Sequence, residues 1–166
     1  MTDIPIHPEE NERLDVLLST HALGEELWPE LDELTAFASD SYGTPIAAVS
    51  LVDQDRQFFK SQVGLDVRQT DRKSAFCAHT ICEKDPFVVL NAEEDQRFAK
   101  NPLVTGAPDI RFYAGAPITI NNMPIGSICV IAREPREAFS AEERKELKQL
   151  AERAAEIIQS KMPDAA

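Results

Sequence analysis

Basic residues are scarce in this chain. Lys and Arg total 17 against 29 Asp and Glu, a net charge of −12 over 166 residues. Such a charge repels polyanions, which argues against nucleic acid and anionic membranes as partners, and nowhere do basic residues interleave with aromatics in a stripe. Long apolar runs are missing too. Stretches such as Ile46 to Val52 fall far short of the roughly 20 apolar residues that a membrane span needs. The opening MTDIPIHPEE has no basic segment followed by an apolar one, so it does not read as a secretory signal, and its acidity argues against a mitochondrial presequence. Three cysteines, an odd number beside no export signal, are expected as reduced thiols in a cytoplasmic protein. The motifs G-x-S-x-G, H-E-x-x-H and the phosphate-binding loop are absent, as are internal repeats and low-complexity segments. What is present is an apolar share of 43 %, ordinary for a globular protein, on a length sufficient for one domain with a core.

Periodicity predicts the elements. A first helix is expected from Pro8 to Ala22, with acidic residues at its positive end and Leu14, Leu17, Leu18 and His21 on one face, closed by Gly24. A second starts near Pro29, carries Leu31, Leu34 and Ala38 at helical spacing, and stops at Gly43. The pattern then changes. TPIAAVSLVD is apolar on both alternating faces, as in a central strand covered from both sides. A polar turn at Asp53, Gln54 and Asp55 joins it to RQFFKSQ, so the two form a hairpin. Gly64 to Lys73 reads as a polar loop, FVVL as a short strand, Glu93 to Lys100 as a helical turn, and NPLVTGAPD as a loop. RFYAGAPITI and PIGSICVIA are strands joined by a tight turn at Asn121-Asn122. The last helix opens on a capping box, Ser140 with Glu143, and continues with Leu147, Leu150, Ala154 and Ile157. Hairpins imply an antiparallel sheet, and the class is α+β with helices covering the sheet.

Within that order, SAFCAHTICEK at 74–84 concentrates Cys77, His79 and Cys82. The stretch from Phe76 to Glu83 reads as a helix capped by Ser74. On a helix Cys77 and His79 are about 200° apart and Cys77 and Cys82 about 140° apart. Only His79 and Cys82 share a face, which is too few for zinc. Cys77 in a first turn behind Arg72 and Lys73 has a physical reason to be somewhat acidic, yet His79 points away from it, so no Cys-His dyad follows. The better reading makes Phe76, Cys77, Thr80 and Ile81 the inward side of a short helix over a sheet. Such a helix can wall a cavity, with a histidine as a polar anchor.

These residues also carry a family resemblance. FCAHTI, NPLVTG, RFYAGAP, IGSICVI and the Pro135-Arg136 pair, in that order and spacing, resemble the GAF domain family, above all the domains that precede bacterial histidine kinases and diguanylate cyclases. The resemblance covers residues 11–161, leaving an N-terminal extension at 1–10 and a tail at 162–166. One departure is Ala132, where the family often has Asp. The resemblance implies a GAF/PAS-like central antiparallel sheet, N- and C-terminal helices packed on one face, a small-molecule pocket on the other, and signalling through the helices. Signatures of particular ligands are missing. There is no N-K-x-F-D-E of the cyclic-nucleotide binders, and Ala78 separates Cys77 from His79 where bilin binders pair Cys with His. The cysteine context of the GAF-fold methionine sulfoxide reductases is not reproduced either.

What the resemblance implies for the site is a lining from Phe76, Cys77, His79, Phe98, Arg111 and Tyr113, drawn from the Cys77 helix, the loop from Asp95 to Thr105 and the strand after it. Arg111 has two readings, an anion clamp or a structural ion pair with Asp95 or Asp109. The Leu147 to Ile157 stripe likewise has two, a dimer seam joined by Leu14, Leu17 and His21, or packing on the sheet. No cofactor is specified and no metal is expected. The function expected is that of a non-catalytic sensor with a small-molecule ligand, a homodimer whose output runs through a histidine kinase or other signalling protein. Met1 favours a complete chain. The alternative is a thiol-dependent redox enzyme or redox sensor using Cys77, with Cys82 or Cys129 resolving.

Overall fold

Seven consecutive buried residues form β1 (Ile46–Val52), and they divide by parity. In the computed structural model, which describes residues 4–163, Ala47, Val49 and Leu51 face one hydrophobic cluster and Ile46, Ala48 and Val52 face another. A strand apolar on both faces can be stable only with a layer on each side. β1 pairs antiparallel with β2 (Arg56–Val63) and with β6 (Met123–Ala132). With β3 (Gln69–Asp71), β4 (Phe87–Val89) and β5 (Phe112–Ile120) they make a six-stranded antiparallel sheet in the order β3-β2-β1-β6-β5-β4. Asn121 and Asn122 both take positive φ, 50° and 65°, the conformation that a two-residue hairpin turn demands. The α+β class expected from the hairpins is what the structure has.

The back of the sheet is covered by α1 (Glu10–Ser19), α2 (Pro29–Tyr42) and α5 (Ala141–Ser160). Their buried stripe includes Leu17, Leu31, Ala38, Leu147, Ala154 and Ile158, packed with Phe112, Ala114 and Ala116 of β5. α2 ends at Gly43 in a left-handed conformation with φ 62°, and α5 opens on the Ser140–Glu143 capping box, both as predicted. β2 contains an irregularity against β1 beside Lys60. There the Lys60 ammonium lies over the Trp28 ring and donates to the carbonyls of Gly24 and Glu26, holding the α1–α2 connection to the sheet.

Several expectations need correction. α1 is shorter than Pro8 to Ala22. It ends at Ser19, Leu18 is 61 % exposed, and His21 lies beyond the helix at φ 58°. The buried partner of Leu17 on this helix is Arg13, whose charge is met by Glu10. The polar stretch 64–73 contains β3 and a single 3-10 turn, and NPLVTGAPD contains a one-turn helix, α4 (Pro102–Thr105), capped by the Asn101 side chain. The helix expected over Phe76 to Glu83 shrinks to α3 (Cys77–Thr80), and Ser74 belongs to the preceding 3-10 turn without capping it. The tail assigned to 162–166 and the extension at 1–10 fall partly outside the described residues, at 164–166 and 1–3. Among the described residues no helix is long and apolar enough to cross a membrane.

Candidate functional site

The front of the sheet carries α3, α4 and the loop between β2 and β3. Between them lies a cavity of about 280 Å³. Its floor is set by strand parity. Tyr113 of β5, Cys129 and Ile131 of β6 and Phe59 of β2 all face forward. Gly115 makes room on the floor, because a Cβ there would overlap the Tyr113 hydroxyl. Phe76 and Cys77 form one wall, and Leu103 and Ile110 another. The mouth is framed by residues 64–67 on one side and Ala107, Pro108 and Arg133 on the other.

Cys77 is buried against a closed set of hydroxyls. Ser127 Oγ donates to its Sγ at 2.9 Å, and the Tyr113 hydroxyl lies 3.1 Å from the same sulfur and 2.7 Å from Thr80 Oγ1. Burial works against a thiolate here. Hydrogen bonds from the Cys129 thiol, Ser127 and Tyr113 outweigh it and hold Cys77 at about 7. The bond with Cys77 and then burial push Cys129 well up, while burial and the Cys77 charge push Tyr113 well up. The acidity expected from a helix N-terminus and from Arg72 and Lys73 therefore has a different source. α3 is one turn long, and Arg72 is directed to Glu10, with 2.6 Å between Nη1 and Oε2.

His79 points the other way, as its position in the turn requires. Its ring stacks on Phe87 with centroids 5.6 Å apart and meets the edge of Phe98 at 4.8 Å. Burial, helped by nearby Arg97 and opposed by Asp95, lowers it to about 4, so it is neutral at physiological pH. Phe98 stacks on Phe76 at 4.0 Å and is buried. Of the six residues put forward from the sequence, Phe76, Cys77 and Tyr113 line the cavity, while His79, Phe98 and Arg111 lie outside its lining. His79 and Phe98 support the Phe76 wall from behind. Arg111 pairs with Glu93 at 3.0 Å and donates to the carbonyls of Val104 and Ile110. Its ion-pair partner is thus neither Asp95, which Arg97 holds at 2.7 Å, nor Asp109.

Sequence reasoning missed Phe59, Cys129 and Ile131 as lining. Strand parity carried the signal, since each falls on the same face as Tyr113 once the hairpins are paired. Nothing local marked the mouth residues Leu65, Val67 and Arg133. Among the described residues no cluster of three His, Cys, Asp or Glu side chains could hold a metal ion.

Comparison with known proteins follows this architecture. Over 134 residues, 80 % of the chain, the sequence is 45 % identical to the cyclic di-GMP phosphodiesterase PA2567 of Pseudomonas aeruginosa, and the match spans only 23 % of that relative's length. Two solved structures share the fold at low identity. The free methionine-R-sulfoxide reductase of Neisseria meningitidis in complex with its substrate superposes with a TM-score of 0.67 at 15 % identity, over 97 % of this chain and 98 % of that one. The GAF domain of a phosphoenolpyruvate-protein phosphotransferase from Coxiella burnetii gives 0.67 at 14 %, over 90 % and 92 %. The profile of the GAF domain matches residues 27–158, and the chain belongs to the GAF domain family.

Proposed function

We propose that this GAF domain is a non-catalytic sensory module that binds a small molecule in the front cavity and passes its occupancy to the terminal helices. The observation that carries the reading is the cavity itself, an apolar space walled by α3, α4 and the front of the sheet. Small-molecule sites have this character. A ligand that prefers one arrangement of α3 and the mouth shifts the population toward it. One relative is named as a cyclic di-GMP phosphodiesterase and is matched over less than a quarter of its length. That supports placing the domain as a regulatory segment of such a signalling protein, and a histidine kinase or other signalling protein as its partner is part of the proposal. A cytoplasmic homodimer is part of the proposal. Its seam lies elsewhere than the Leu147 to Ile157 stripe, which packs on the sheet within the chain.

Native mass spectrometry of freshly purified protein tests the reading. The wild type is expected to retain a small molecule that Leu103→Trp, with a bulkier wall, does not. Equal retention by both proteins would place the ligand elsewhere.

A second reading, thiol redox chemistry at Cys77, has one observation in its favour: the thiol is held at about 7 beside Cys129. Against it, Cys77 is only 1 % exposed, and a reactive cysteine sits in a partly exposed, electropositive setting. Alkylation of Cys77 at about pH 6 faster than a free thiol would favour the redox reading over the sensor.

A further inference from the structure

We propose that the cavity selects a small amphiphile, with an apolar body inside and a single carboxylate at the mouth, held by Arg133. The inference rests on the cavity being the binding site and names the chemistry that site accepts.

The inner wall comes first. Its polar groups already satisfy one another. Ser50 Oγ donates to Gln57 Oε1 at 2.7 Å, Gln57 Nε2 donates to Thr70 Oγ1 at 2.8 Å, and Cys77, Tyr113, Thr80 and Ser127 form their own closed set. A polar group pushed against this wall loses water and finds few free partners, chiefly the Thr70 hydroxyl proton, which is costly. The remaining wall, including Phe59, Phe76, Leu103 and Ile131, accepts hydrocarbon. The volume, about 280 Å³, falls just below the roughly 300–1,000 Å³ range of sites for drug-sized ligands, which suits a small metabolite.

The mouth has the opposite character. Val67 is an apolar side chain left 47 % exposed at the rim, which an apolar occupant would cover. Arg133 lines the same rim and is exposed. Its Nε donates to the carbonyl of Pro108 at 3.1 Å, which anchors the guanidinium. Among the described residues it makes no ion pair. The N–H groups left over suit the two oxygens of a carboxylate. Asp66, also at the rim, opposes any build-up of negative charge there, which disfavours a dicarboxylate or a phosphate ester more than a monocarboxylate.

The test titrates octanoate, 1-octanol and octylammonium into the full chain by calorimetry, while amide shifts at residues 64–67 and Ala107 report where each binds. Octanoate is expected to bind about tenfold more tightly than 1-octanol, the preference that a charge-assisted pair supplies. Arg133→Gln should erase that preference, leaving 1-octanol binding unchanged, and Arg133→Lys should keep part of it. Arg133 is exposed and held by one backbone bond, so these variants fold. Equal binding of octanoate and 1-octanol, or a preference that survives Arg133→Gln, overturns the head-group assignment and leaves the cavity as the site. Tightest binding by octylammonium also overturns it, in favour of Asp66. No binding by any of the three, with unmoved amides at 64–67, overturns this inference and the cavity reading together.

Discussion

Tyr113 serves three neighbours with one hydroxyl: Cys77 at 3.1 Å, Thr80 at 2.7 Å and, more distantly, Ser127 at 3.5 Å. Thr80 is fully buried and has no other side-chain partner among the described residues. Tyr113→Phe leaves that hydroxyl unpaired, which costs about 1–3 kcal/mol. Urea denaturation should show the loss with the cavity still present, and an unchanged midpoint would show that the network is not structural. His79 yields a pH dependence whose sign is fixed. Its folded value, about 4, lies below the ordinary 6.5 because burial and then Arg97 disfavour the cation against the opposing pull of Asp95. The unfolded chain therefore binds the proton first. The contribution is complete above 6.5 and is lost progressively as pH falls toward 4. His79→Asn should flatten the drop in stability between about pH 7 and about pH 5, and an identical drop in wild type and variant would mean that other groups set it. The opposed directions of Cys77 and His79 were legible from helical angle alone. That His79 and Phe98 support the wall instead of lining it was not, because a side chain facing the right layer can still have another side chain in front of it.

α1 is fastened to the front layer by charge. Glu10 accepts from Arg13 at 2.9 Å and from Arg72 at 2.6 Å, Arg72 also donates to the carbonyl of Asp53, and Arg13 donates to that of Pro124. Both guanidinium groups are almost completely buried. Burial raises the Glu10 carboxyl, but its bonds and charge attraction to Arg13 and Arg72 prevail and hold it at about 2, below the ordinary 4.5. The contribution to stability is thus complete above 4.5 and disappears as pH falls from there to about 2. Glu10→Gln should cost about 2–3 kcal/mol, somewhat less than a fully buried pair, since water reaches the carboxylate. Denaturant melts at neutral pH measure it, and the loss should shrink in acid; a constant loss at every pH would contradict the charge argument. Nothing local could have shown this clasp, because Glu10 and Arg72 are 62 positions apart. The long elements were readable for the opposite reason. β1, α2 and α5 carry their periodicity in the residues themselves, whereas β3 and α3 are three and four residues long, too short for a period to appear.

Over the whole molecule, the sheet separates two tasks. Its front face closes a cavity, and its back face takes up the apolar stripes of α1, α2 and α5. The α5 stripe read from sequence was open to two uses, and Leu147, Ala154 and Ile157 are buried at 0 %, 0 % and 6 % exposure within one chain. The outward surface of α5 is charged, with Glu142, Lys145, Glu146, Glu152, Arg153 and Glu156 exposed. Among the described residues, the large apolar side chains left in solvent include Leu18 on α1 at 61 %, Leu27 ahead of α2 at 60 % and Phe37 on α2 at 58 %, besides Ile6 near the N-terminus and Val67 at the cavity rim. Pairing of this domain with itself would gain most by burying such side chains, since burying a phenylalanine side chain contributes about 1.5–3 kcal/mol and an exposed charged helix face contributes little. Sedimentation equilibrium decides the matter. Phe37→Glu is expected to lower the weight-average mass from dimer toward monomer, and Glu152→Ala on α5 is expected to leave it unchanged. If the wild type sediments as a monomer at every concentration, the homodimer proposal fails, and the exposed Phe37 is left for contact with another protein or with another segment of a longer polypeptide. The same Phe37→Glu variant would then weaken that contact without altering ligand affinity at the front.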